Sequence, residues 1–229
     1  MSTKRIEPLL LGKAAVHGIR IKVVEFIRVE WMPTKENVEA IQKMDPGSTL
    51  VFTSINAVEA LYKMVNQFSI TVSKDHMIYA TEGRTATRAR QLFPSLRIVG
   101  TAQKASALAE KIVEDKVKDP IFLCGNLRRQ ELPQVLREQK IKFTELQVYR
   151  TELTPVAISE KFDGIVFFSP SAVSSYFEKN DIKKGMTCFT IGDTTAEALR
   201  EHTNNKIIVA KQPRQELVID EIIGFYKGK

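Results

Sequence analysis

Cysteine is scarce in this chain: of 229 residues only Cys124 and Cys188 are thiols. Neither stands at metal-ligand spacing from the other or from the scattered His17, His76 and His202, so neither a zinc site nor a disulfide framework is expected. Both lie in apolar runs, IFLCG and MTCFTIG, and read as buried, reduced strand residues rather than nucleophiles. No apolar run approaches the ~20 residues of a membrane-spanning helix, and the opening MSTKRIEP holds no secretory stretch, so a cytoplasmic protein without a membrane partner is expected. Glycine-rich phosphate loops, paired catalytic carboxylates and a Ser-His-Asp arrangement are also missing, and GDTTAEAL does not satisfy the GxGxxG pattern. No metal, nucleotide or other cofactor is implied.

What is present is ordinary in bulk: 43% hydrophobic and 27% charged residues, enough for one large core or two small ones. The 34 basic and 27 acidic residues give a formal charge of +7, which suits an anionic partner without naming it. The charges are interspersed and carry no aromatic, glycine or zinc signature of a nucleic-acid module, so nucleic acid is not the expected partner. Short runs rich in Val, Ile and Phe (TLVFTS, MIYAT, LRIVG, PIFLCG, GIVFFSP, MTCFTIG, KIIVA) alternate with segments of helical periodicity. Among those segments are NAVEALYKMVNQF, LRRQELPQVLREQ and TTAEALREH. Such alternation predicts α/β units on parallel sheets flanked by helices.

An internal repeat sharpens this reading. VFTSINAVEAL resembles VFFSPSAVSSY, so Ser54, Ala57 and Val58 answer to Ser169, Ala172 and Val173; Thr85-Ala86 answers to Thr195-Ala196 further on. GIRIKVVEFI and KIKFTELQVY pair as alternating exit strands that follow helix-like stretches. Two similar α/β domains are expected: one discontinuous, from 1–30 plus 153–229, the other inserted, from 34–148. A two-stranded linker crosses near 26–34 and 147–154, with a cleft between the domains. A single continuous sheet is the rival topology.

TSINAVEAL, FLCGNLRRQELPQVLREQKI, LQVYRT, FFSPSAV and IGDTTAEAL together resemble the uroporphyrinogen-III synthases, from about residue 15 to the C-terminus. The resemblance implies a monomeric, cofactor-free lyase in tetrapyrrole (heme) biosynthesis, built as two linked α/β domains. Its substrate would be hydroxymethylbilane, a polycarboxylate handed over transiently from hydroxymethylbilane synthase. On that resemblance the chain would close it with loss of water and inversion of the last pyrrole ring. The chain departs from the family in its opening, where MSTKRIEP replaces a full apolar strand, at Glu82-Gly83, and at Ile55, where Pro is common.

A carboxylate-rich substrate suits helix N-termini, whose unpaired N–H groups and partial positive charge bind anions. Five strand-to-helix turns offer them: Thr53-Ser54-Ile55-Asn56 with Ala57 beyond, Gly83-Arg84-Thr85, Gly125-Asn126-Leu127-Arg128, Ser169-Pro170-Ser171 with Ala172 beyond, and Gly192-Asp193-Thr194-Thr195. Thr53, Ser54, Asn56, Ala57, Arg84, Thr85, Gly125, Asn126, Arg128, Ser169, Ser171, Ala172, Thr194 and Thr195 are the candidate substrate-binding residues. The same serines and threonines equally suit plain helix caps, worth about 1 kcal/mol each. Tyr149, in the VYRT motif matching the family's tyrosine, is the candidate catalytic acid; a tyrosine merely packing in the crossing strand is the competing reading. From another class, a non-catalytic two-domain binder of an anionic small molecule would share the repeat.

Overall fold

The computed structural model describes residues 1–227. Its contacts divide the chain into two units, Met1–Arg28 with Glu152–Lys229, and Val29–Thr151.

The Val29–Thr151 unit carries a six-stranded sheet in the order β1-β6-β5-β2-β3-β4, with β1 Ile27–Trp31, β2 Thr49–Phe52, β3 Met77–Thr81, β4 Arg97–Ala102, β5 Ile121–Gly125 and β6 Thr144–Leu153. The pairs β2·β3, β2·β5, β3·β4 and β5·β6 are parallel. Around the edge strand, Met32 N donates to Val148 O (2.8 Å) and Thr154 N to Phe26 O (2.9 Å), an antiparallel pattern. Every residue of β2 is buried, as a central parallel strand covered on both faces requires. Its side chains alternate: Leu50 and Phe52 pack with Val58, Leu61 and Met64 of α3 (Ile55–Gln67) and Ala86 and Ala89 of α4 (Arg84–Leu92). Val51 points the other way, to Leu108 and Ile112 of α5 (Ala105–Glu114) and Leu132 and Leu136 of α6 (Glu131–Glu138). Each such side chain, fully buried, is worth about 1.5–3 kcal/mol. The short α2, Lys35–Gln42, which no periodicity had announced, is capped by the Thr34 side chain, and its Asn37 amide donates to Met32 O and Gln147 O.

The other unit holds β7 Gly164–Phe167, β8 Thr187–Thr190 and β9 Ile207–Val209 in a parallel three-stranded sheet. One face, with Ile165, Phe167 and Cys188, meets α7 (Pro170–Phe177) and α8 (Asp193–Arg200); the other, with Val166 and Phe189, meets α1 (Pro8–Val16) and α9 (Gln215–Lys227). The missing opening strand is replaced by residues 1–3: Ser2 bridges Val166 on one side and Val23 on the other, both in parallel. Thr3 N donates to Val166 O (3.0 Å) and Val24 N to Ser2 O (2.9 Å). Residues 1–3, α1 and residues 22–24 thereby repeat the arrangement of β5, α6 and β6.

Two sequence expectations change here. GIRIKVVEFI is not a continuous strand: only Val23 bridges, and the ladder begins at Ile27, because the partner that would pair the earlier residues is three residues long. α6 starts at Glu131 rather than near Leu127. A start at Leu127 would bury Pro133 in a helix interior at about 3 kcal/mol, whereas from Glu131 the proline falls in the first turn, where its missing N–H has no helical partner to lose.

No described helix is long and apolar enough to cross a membrane. Among the described residues no group of three or more His, Cys, Asp or Glu is placed to hold a metal ion.

Candidate active site

In the six-stranded sheet the chain moves outward from β2 to β3 to β4, then returns to lay β5 on the other side of β2. At such a reversal the connections leaving the two central strands part in opposite directions and open a crevice at their carboxyl ends. The turns there belong to Ser54, after β2, and Gly125-Asn126, ending β5. β6 adds Tyr149, which sits opposite Gly125 just past a register shift between Cys124 and Gly125.

These residues touch. The Tyr149 phenol donates to Ser54 Oγ at 3.1 Å. Ser54 Oγ also accepts the Asn56 N–H at 3.1 Å, so it caps α3 as well. The tyrosine ring lies over Gly125 so closely that a Cβ there would stand 2.4 Å from Cε2 and Cζ. Burial pushes the Tyr149 hydroxyl above the ordinary tyrosine value, with the Ser54 contact pulling the other way, so the group is a neutral donor at physiological pH.

Other predicted residues of this unit have prior commitments. The Asn126 amide donates to Thr151 O (3.1 Å) and accepts from Thr151 N (2.8 Å), which uses it as an extra rung beside β6. Arg128 Nε donates to Glu145, which also receives Arg137 at 2.8 Å. The Gly125–Arg128 turn is separated from the α6 N-terminus at Glu131, so its donors are turn amides and not helix-end amides. Thr53 and Asn56 are half-buried; Ala57 is buried in the core and offers a ligand only its backbone. After β3, Gly83 takes φ +72°, the left-handed region that glycine enters without strain. Arg84 is then exposed while the Thr85 hydroxyl side chain is buried.

The smaller unit has the corresponding reversal between residues 1–3 and β7. Ser169 stands there as Ser54 does, its Oγ accepting from Ala172 N at 3.2 Å and lying 3.1 Å from Ser171 Oγ. Cap formation thus occupies the Ala172 amide. At α8, Thr194 is exposed and Thr195 buried, and Asp193 already supplies a carboxylate to the first turn. Sequence reading passed over the cationic strand ends: Lys4 and Arg5 after residues 1–3, Lys104 after β4, and Lys211 and Arg214 after β9. The repeat held the signal, since Ile98-Val99 of β4 answers to Ile208-Val209 of β9, and Lys104 and Lys211 follow those strands.

A cavity of about 640 Å³ in the smaller unit lies elsewhere, lined by His17, Arg20, Lys161, Asp163, Phe189 and Tyr226 among others. It reaches Gly164, the first residue of β7, at the end of the strand away from Ser169, and holds none of the predicted site residues.

Similar proteins agree with this architecture. A crystal structure of the uroporphyrinogen-III synthetase of Helicobacter pylori aligns with a TM-score of 0.63 at 21% identity, covering 92% of this chain and 97% of that one. A mutant uroporphyrinogen III synthase of Thermus thermophilus aligns at 0.71 and 15% identity, covering 97% and 95%. A protein of Methanothermobacter thermautotrophicus, provisionally named a uroporphyrinogen-III synthase, is 25% identical over 228 residues, 90% of this chain and 87% of its own. The family model described as "Uroporphyrinogen-III synthase HemD" matches residues 11–220, and on that span the chain belongs to the uroporphyrinogen-III synthase family.

Proposed function

We propose that this protein cyclises hydroxymethylbilane to uroporphyrinogen III, with Tyr149 beside the reacting hydroxyl and the strand-end turns holding carboxylates. The observation that carries the reading is the Tyr149 phenol seated on Ser54 over Gly125, where the strand order reverses. Family membership supports the reaction, and the strand-order reversal with its Tyr149–Ser54 contact supports the choice of residues.

The substrate's pyrroles supply the electron push that expels the terminal hydroxyl as water once it gains a proton. The substituted carbon of the last ring attacks the resulting cation, and a spiro intermediate rearranges to the inverted ring. The protein's tasks are to bend a flexible polyanion until its ends meet, worth up to about 7–11 kcal/mol in favourable cases, and to offer a proton donor. Turn amides after β2 and β7, the exposed Arg84 and Thr194, and the cationic strand ends are the groups assigned to its carboxylates. Asn126 and Arg128 support the crevice through Thr151 and Glu145.

The protein acts as a cytoplasmic monomer that receives its substrate from hydroxymethylbilane synthase and engages neither nucleic acid nor membrane. Supplying enzymically generated hydroxymethylbilane and separating the products tests the reaction. Type III isomer is expected, and type I alone, the product of unassisted closure, would overturn it. Sedimentation of the pure protein alone and with hydroxymethylbilane synthase tests the monomer and the hand-over.

A further inference from the structure

The hydrogen-bond inventory at Ser54 is nearly closed. A serine hydroxyl has two acceptor lone pairs and one O–H donor. Both lone pairs are used here, one by the Asn56 N–H at 3.1 Å and one by the Tyr149 O–H at 3.1 Å. The phenol, by far the more acidic of the two hydroxyls, is the natural donor of that pair. With its hydrogen turned onto Ser54, Tyr149 has none to give a substrate. The O–H of the half-buried Ser54 is the one left to aim outward, at the carboxyl end of β2 beside the strand-order reversal.

We infer that Ser54 is the catalytic residue that delivers the proton to the departing hydroxyl, and that Tyr149 acts through it as the relay's reservoir. This rests on the proposed cyclisation and deepens it. In the step, the methylene C–O bond breaks and its electron pair leaves with the oxygen. Ser54 Oγ–H protonates that oxygen to water while the Tyr149 proton passes to Ser54 Oγ. Phenolate and pyrrolic cation are left facing each other as opposite charges. When the last ring regains aromaticity it releases one proton, which returns through Ser54 to Tyr149, so residues and charge are restored each turnover. Gly125 is the third part, since any side chain there would push the ring off Ser54.

The test uses the full chain in single turnovers with hydroxymethylbilane. Ser54→Gly removes the donor while keeping an acceptable helix cap; its rate constant should fall about 100-fold, within the range of general-acid contributions. Tyr149→Phe keeps the Ser54 hydroxyl and should fall less, and the double variant should be no slower than Ser54→Gly alone. Ser54→Thr should restore most of the rate. In mixtures of light and heavy water the wild-type rate should curve with deuterium fraction, two protons being in flight, and Tyr149→Phe should make the plot linear. A packing role for the pair would move none of these shapes. A Ser54→Gly rate within about twofold of wild type, or a linear wild-type plot, overturns the relay while type III product continues to form. Loss of type III product from the wild type itself would instead remove the cyclisation on which the relay stands.

Discussion

Asn126 holds the Thr151 backbone by both of its polar groups, donating to the carbonyl at 3.1 Å and accepting from the amide at 2.8 Å. Thr151 is only 8% exposed, so water does not readily replace either bond. Asn126→Ala should therefore cost about 1–3 kcal/mol, since buried backbone groups left unpaired carry their full desolvation penalty. Urea unfolding measures it. Turnover should fall as well, because the pairing ends two residues from Tyr149; unchanged stability would show that Asn126 is not a clamp.

Gly125 and Tyr149 occupy space that leaves no room for a methyl group. Gly125→Ala should displace the ring, break its bond to Ser54 and lower both stability, by about 1–3 kcal/mol, and turnover. In a Tyr149→Ala background the same substitution should cost far less. Thermal melts of the four proteins give the coupling directly, and additive losses would mean the contact is relieved some other way.

His76 makes the stability of the larger unit depend on pH. It is 2% exposed and its Nδ1 has no partner among the described residues. Burial lowers its pKa below 6.5, opposed by its bond to the Ser48 backbone and by Asp75. The unfolded chain therefore binds this proton more readily than the folded one. Stability from this group should be level above pH 6.5 and decline as pH falls through 6.5 toward the lower folded value. Denaturant midpoints between pH 5 and 8 should show that slope, and His76→Gln should flatten it.

Cys124 and Cys188 should be silent toward thiol reagents in the folded protein. Burial raises them to about 11 and about 12, so almost no thiolate exists at pH 8, and neither side chain is reachable. Ellman titration should find both thiols in denaturant and neither before it; fast labelling of the native chain would contradict the packing.

Much of this fold was written in local pattern. Continuous apolar runs such as TLVF become strands buried on both faces, and Ser54 and Ser169, each heading a helix, turned out to cap one. The repeat alone places those two serines in register. Helix α2 and the true start of α6 were not legible. The first is too short and polar to show a periodicity, and the second depends on where Pro133 can be tolerated.

The candidate site divides along the same line. Residue types and their place after strands are properties of the chain, and they sufficed to nominate Tyr149, Ser54 and Gly125 separately. That Tyr149 gives its hydrogen to Ser54, 95 positions away, across a glycine that must be bare, depends on β6 and β2 flanking β5, a long-range pairing with no local trace. Likewise Asn126 and Arg128 are nominated by their place in sequence, and only folding brings Thr151 and Glu145 into hydrogen bonds with them. Local propensity decides which hydroxyls and amides exist at the strand ends; the order in which strands pack decides which of them remain open to a substrate.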